Sequence, residues 1–454
     1  METPDLISTC PSPSNSFEQC RCTPKDKEAL VEEDKLPPQD RGIQAWLFLA
    51  ASAMIEALVW GFAFSFGVFQ SYYRTQDAFK DSKMVALIGT CATGVAYLSC
   101  PLTIVAMILL PGMTRWFSTI GLVIMSLSLA TGSFATNVSH LVLSQGIAFG
   151  LGGCIAYSPS ILFMPEWFVK RRGLAFGMVW AGSGLSGIVF PLLLEKLLSR
   201  FGFQTTLRIL SVLVFVLAGP FLYFHKPRIP INASRRLTFR FLFNKVFVVY
   251  QAGNIFEALG FFLPALYLPI FAQAIGTSTF FSSFTVTAFN LASIFGSVSM
   301  GFLSDRFHVQ NCILIATVGA AVSIFLLWGF SVNIQVLLLF SITYGLFAGS
   351  YSATWSGMIN EIQRVDPNSD PTIIFSFIAL GRGIGNVVSG PFSEALLEAD
   401  SWKGHAWGAY GSGFGLLIQN KPGEDVVFGA VVVASVIFHA VFPSSSTSIN
   451  PTHR

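Results

Sequence analysis

Residues 140–194 read HLVLSQGIAFGLGGCIAYSPSILFMPEWFVKRRGLAFGMVWAGSGLSGIVFPLLL. Two apolar runs flank three consecutive bases, Lys170, Arg171 and Arg172. A helix needs about 20 residues to cross the ~30 Å hydrocarbon core of a bilayer. Each run is of that length, and a basic loop between them is what a chain turning at a membrane surface presents. The rest of the chain repeats the pattern. Apolar runs at 46–69, 84–110, 117–135, 140–164, 173–194, 205–224, 246–272, 281–303, 311–331, 334–358, 372–397 and 424–442 predict twelve spans. Gly408–Ile418 is apolar and glycine-rich but short, and reads as a loop.

Composition points the same way. Hydrophobic residues make up 53 % of 454 and charged residues 11 %, against roughly 25 % charged in a soluble domain. Mean hydropathy is +0.63. The chain lacks the charge to cover itself with water, so lipid is its expected solvent and the expected fold class is all-α, polytopic and membrane-embedded. A net charge of +3 provides no basic field for nucleic acid. Cys10, Cys20, Cys22, Cys91, Cys100, Cys154 and Cys312 have neither zinc-ligand spacing nor a disulfide framework, and read as free thiols. The first 44 residues are polar and lack the pattern of a cleavable signal.

Counting bases across the loops sets the topology. Eighteen Lys and Arg fall on the side of the N-terminus and seven on the other, with Arg208 and Arg382 inside spans. Both termini are therefore expected in the cytosol, most naturally at the plasma membrane, with the vacuole or another organelle as the alternative. The Asn137 sequon then lies outside, in a loop too short for ready glycosylation. The expected organisation is a polar tail (1–44), a six-helix bundle (45–224), a basic linker (225–245), a second six-helix bundle (246–442) and a short tail (443–454).

An internal repeat supports two related halves. Glu56–Ala57–Leu58 recurs as Glu257–Ala258–Leu259, Gly146 and Gly150 as Gly345 and Gly349, and Gly182–Ser183–Gly184 as Gly381–Arg382–Gly383. The offsets are 201, 199 and 199 residues. Parallel repeats imply a pseudo-two-fold axis along the membrane normal. The paired glycines read as packing seams, where small residues let helices approach. Gly182, Gly184 and Gly187 also fit a dinucleotide-binding spacing, but no strand precedes them and the match fails its context. No phosphate loop, zinc-protease or serine-hydrolase motif is present, so an enzyme and a cofactor are not expected.

Two stretches carry a resemblance. Gly301–Phe302–Leu303–Ser304–Asp305–Arg306–Phe307 resembles the signature loop of the major facilitator superfamily, which implies a latch by Asp305 and Arg306 on the cytosolic side. Trp167–Phe168–Val169–Lys170–Arg171–Arg172–Gly173–Leu174–Ala175–Phe176–Gly177 resembles the lead-in to span 5 of the monocarboxylate porters, and Glu166 with Tyr410–Gly415 is similar to their fungal branch. The resemblance covers about 42–442. It departs at Arg41, Ile43 and Gln44 ahead of span 1, although Gly42, Ala45 and Trp46 fit. It departs again in span 8, where Asn290 stands and no ionisable residue precedes Asp305.

Ionised groups are rare at mid-bilayer because each costs several kcal/mol, ~2.5–3.5 on insertion scales. Arg382 replaces Ser183 of the repeat. It either holds a substrate carboxylate bidentately or pairs with a buried acid. Glu56 and Glu257 sit at matching depths. Each either exchanges a proton, as a buried carboxylate can, or neutralises Arg382 or Arg208. Asn254 and Gln251 bind substrate or another helix, and Tyr157 is a candidate lining residue. Lys170, Arg171 and Arg172 join Asp305 and Arg306 as latch candidates. The expected function is alternating-access transport of a small organic anion or metabolite, proton-linked and directed to efflux of a fungal secondary metabolite. Import of a monocarboxylate or vitamin-like nutrient is the alternative. A membrane sensor on the same fold is a third reading, disfavoured by the short linker and C-terminal tail.

Overall fold

A backbone inside lipid can hydrogen-bond only to itself, so long apolar runs fold as helices. A computed structural model describes residues 36–76, 79, 84–229, 237–328, 331 and 333–398, with backbone alone at 262–267, 270, 274, 279 and 390–398. Every regular element among the described residues is helical. Helix α1 is Ile43–Tyr73, α2 Val85–Leu109, α3 Pro111–Gly132 and α4 Val138–Trp167. The continuous stretch Arg172–Leu222 holds α5 (172–201) and α6 (203–222). Then follow α7 (Lys245–Ala274), α8 (Thr279–Ser304), α9 (Val309–Trp328), α10 (Ile334–Val365) and α11 (Pro371–Glu398). These are the first eleven expected spans. The twelfth, 424–442, residues 1–35 of the expected tail 1–44, and the tail 443–454 lie outside the described residues.

Two boundaries differ from expectation. Spans 5 and 6 are joined by a sharp bend at Gly202, with φ 72° and ψ 173°, a left-handed conformation that a Cβ disfavours. Helix α10 continues past 358 because Met358, Ile359 and Ile362 form a buried stripe on an otherwise polar stretch.

The glycine seams pack as read. Gly146 and Gly150 of α4 lie against α2, and Gly345 and Gly349 of α10 lie against α8. The sequence halves meet along α5 against α8 and along α2 against α11. Gly173 and Gly177 rest on Gly301 and Ser297, a contact with no room for a side chain. Further along, the Asn290 amide donates to the Gly187 carbonyl at 3.2 Å, and the Asn386 amide donates to the Thr93 hydroxyl at 2.7 Å. Gly187 and Asn386 are one repeat offset apart, so both contacts are tied at corresponding levels. The loops between α4 and α5 and between α8 and α9 meet through Asp305, and His308 of the latter reaches Glu361 at the end of α10; this side is called here the basic face for Lys170, Arg171, Arg172, Arg306 and Arg364.

His225 closes the first half at that face. The Ser118 hydroxyl donates to the Ala156 carbonyl at 3.0 Å, so His225 Nδ1–H donates to Ser118 and the Ser160 hydroxyl donates to Nε2, each at 2.9 Å. Phe48 stacks on the ring at 5.4 Å. Burial pushes the imidazole down from 6.5 to about 3. Below pH about 6.5 the unfolded chain takes up a proton that the folded chain refuses until about pH 3. Stability is therefore full above that window and falls on acidification through it. The melting temperature in detergent is expected to drop across this range, and less steeply in His225→Asn. An equally steep drop in the variant would assign the effect to other groups.

Candidate functional site

Helices α7 and α11 run parallel and, among the described residues, are joined by three polar rungs. The Gln251 amide donates to the Phe377 carbonyl at 2.6 Å and the Asn254 amide to the Ile378 carbonyl at 2.8 Å. One level on, Arg382 Nη1 donates to Glu257 Oε2 at 2.6 Å. Gly381 makes the first rung possible, because the Gln251 amide occupies the space a side chain there would take. The Trp355 indole also donates to Asn254, at 3.2 Å. In this state Gln251 and Asn254 thus bind helix to helix. Arg382 is 3 % exposed, and its charge is met inside the protein by Glu257.

The first half supplies the rest of the site. Glu56 of α1 is 1 % exposed and has no basic partner among the described residues. Tyr97 of α2 lies within electrostatic reach of Glu56, Glu257 and Arg382, and its Cβ packs on Gly383 beside Arg382. Tyr157 of α4 lies within electrostatic reach of Glu56 and Tyr97, and Tyr344 and Tyr351 of α10 within reach of Glu257 and Arg382. Toward the basic face the site is floored by rings from both halves. Phe176 stacks on Phe375 at 5.4 Å, and Trp180 meets Trp355 edge-on at 5.7 Å. The Arg382 guanidinium lies 4.7 Å from the Phe261 ring and 5.9 Å from that of Trp355.

At the basic face two carboxylates clamp the start of α5. Asp305 accepts from the Gly173 and Leu174 amides at 2.6 and 2.8 Å, a favourable place for negative charge at a helix N-terminus. Asp40, at φ 55°, accepts from the amides of Val169, Lys170 and Arg171 at 3.0–3.3 Å. Arg172 lies in the field of both. Burial pushes the Asp305 carboxyl up, and the Leu174 and Gly173 amides oppose this. The Arg306 guanidinium sits over the Phe302 ring at 4.4 Å. Charge-assisted hydrogen bonds contribute about 1.5–3 kcal/mol each. Asp305→Ala, which removes two, is expected to lower the melting temperature clearly, with Asp305→Asn intermediate. An unchanged melting temperature in Asp305→Ala would show that the clamp carries no energy.

A protein-family profile described as Major Facilitator Superfamily matches residues 251–419. The MFS-type transporter pytF of Aspergillus terreus is 30 % identical over 61 % of this chain and 94 % of its own length. The chain belongs to the major facilitator superfamily. It is also similar to the MFS transporter asaE of Aspergillus flavus, at 26 % identity over 82 % of this chain and 85 % of that protein. The aspyridones efflux protein apdF of Emericella nidulans is 26 % identical over 82 % of this chain and 76 % of that protein. The superfamily implies an integral multi-pass protein with a small-molecule substrate rather than an enzyme.

Within this superfamily chain the sequence-derived candidates fall into two groups. Glu257 and Arg382 touch, with Glu56 and Tyr157 close by. Asp305 and the Lys170–Arg172 loop meet at the basic face, where Lys170 and Arg171 act through their backbone amides. Sequence reasoning missed Tyr97 and Asp40. Asp40 directly precedes the departure at Arg41 and stands two residues before Gly42; an acid at the foot of span 1 was the available signal.

Proposed function

We propose that the chain is a proton-linked secondary transporter of the fungal monocarboxylate-porter-like branch that exports a small metabolite by alternating access. The observation that carries this reading is the Glu257–Arg382 pair, buried with Glu56 around Tyr97 where the two halves face each other. Buried carboxylates between two related bundles give a proton somewhere to bind without an enzyme's chemistry. The efflux direction is supported by the relative named for aspyridone efflux. In this reading bundles 45–224 and 246–442 rock about the α5–α8 and α2–α11 contacts. Both termini lie in the cytosol of a plasma-membrane protein, and the Asp305 clamp holds the basic face shut in one half of the cycle.

The test is flux. Proteoliposomes holding the purified chain are offered a fungal metabolite extract under an imposed proton gradient, and the accumulated compounds are identified by mass spectrometry. Uptake that follows the gradient is expected, and Glu56→Gln should weaken its dependence on pH by tenfold or more. Accumulation indifferent to the gradient in the wild type would remove proton linkage. A pH dependence unchanged in Glu56→Gln would remove Glu56 from it.

A further inference from the structure

We propose that the cargo is an uncharged, ring-bearing compound that donates hydrogen bonds to Glu257 and Glu56, and that a simple carboxylate is excluded. This rests on the transporter reading above and names its substrate class. The charges come first. Among the described residues, Glu257 pairs with the Arg382 guanidinium, and the second carboxylate, Glu56, lies across Tyr97, which is within electrostatic reach of all three. The other titratable groups around Glu257 among the described residues are phenols that add no cation: Tyr97 on α2 and Tyr344 and Tyr351 on α10. Tyr157 beside Glu56 is a phenol as well. With both acids ionised the site is negative by one, and an anion entering it is repelled. A carboxylate that takes the Nη1 position on Arg382 must displace Glu257, which strands one buried carboxylate in place of another.

The hydrogen-bond inventory agrees. Glu56 Oε2 and Glu257 Oε1 are buried and accept nothing among the described residues. Buried oxygens left open call for a donor, and a carboxylate ion brings none. Phenol, enol and amide groups do. The walls select the rest of the molecule. Phe176 and Trp180 of the first half touch Phe375 and Trp355 of the second. When the halves part these ring contacts open, and a planar cargo can take the vacated faces. The flat Arg382 guanidinium, already lying over Phe261 and Trp355, offers one more stacking surface.

Proton and cargo then contend for the same oxygens. A protonated Glu257 is a weaker acceptor, its charge gone and one oxygen turned donor, so acidification weakens binding of a neutral donor. For a carboxylate the sign reverses, because a proton on Glu257 frees Arg382. Purified full-length chain in nanodiscs is titrated with labelled 4-hydroxybenzamide and 4-hydroxybenzoate, which share a phenol ring and differ in charge. The amide is expected to bind at least tenfold tighter and to weaken as pH falls. That pH dependence should be lost in Glu257→Gln and reduced in Glu56→Gln. Tighter binding of the benzoate, benzoate binding that strengthens on acidification, or binding of neither probe overturns the proposal. Proton-driven metabolite flux, measured on the same preparation, separates the two readings: flux that persists with a benzoate preference sinks the substrate class alone, whereas absent flux strikes the transporter.

Discussion

Arg382→Ala is expected to end transport and to destabilise the fold by about 3–5 kcal/mol, the range for breaking a buried ion pair from one side. The variant leaves Glu257 buried without its cation, on a helix otherwise tied to α11 by two amide–carbonyl bonds. The loss should exceed that from Gln251→Ala, which removes one neutral bond worth about 1 kcal/mol. A double variant, Arg382→Leu with Glu257→Leu, removes the stranded charge. It is expected to recover most of the melting temperature and none of the flux. Flux in proteoliposomes and thermal unfolding in detergent read the two effects separately. Full flux in Arg382→Ala would show the pair to be structural only.

Gly177→Val should be nearly as damaging for a different reason. Helix α5 meets α8 at Gly177 so closely that an added Cβ runs into the Ser297 carbonyl. Backbone cannot yield as a flexible side chain can, so the helices must separate at the basic face. Overpacking of this kind costs about 1–3 kcal/mol. Here the cost falls on the state closed at that face, and each ~1.4 kcal/mol shifts the balance between states tenfold. Transport needs both closures and is expected to fall at least tenfold. A cysteine at Trp180, behind the aromatic floor, should become more reactive toward an impermeant maleimide applied at the basic face. Labelling equal to that of the Gly177 parent would mean the seam does not set the closure.

The spans were legible because crossing lipid demands long apolar runs and leaves little freedom in their length. Gly202 was not, because a loop and a bend within one continuous helix share the same composition; a left-handed φ decided between them. Arg382 stood out as a charge at a repeat position held by Ser183. Its partner stayed open between Glu56 and Glu257, since the choice depends on α7 packing against α11. Gln251 and Asn254 look alike as cargo ligands or helix ties until their carbonyl acceptors are seen. Asp40 escaped because its partners are backbone amides, which every residue but proline offers. Tyr97 is one phenol among ten tyrosines and gains meaning only from the charges beside it.

If the two halves truly take turns at opening around the acid–base cluster, a probe planted there must be wetted from either side of the bilayer. Glu56→Cys, in a chain whose seven native cysteines are serine, is exposed to an impermeant maleimide from each face in turn. Labelling from both faces, slowed from both by a bound cargo, is the predicted result. A thiol that reacts from neither face would mean that the Glu257–Arg382 cluster is sealed protein interior and takes no part in moving anything.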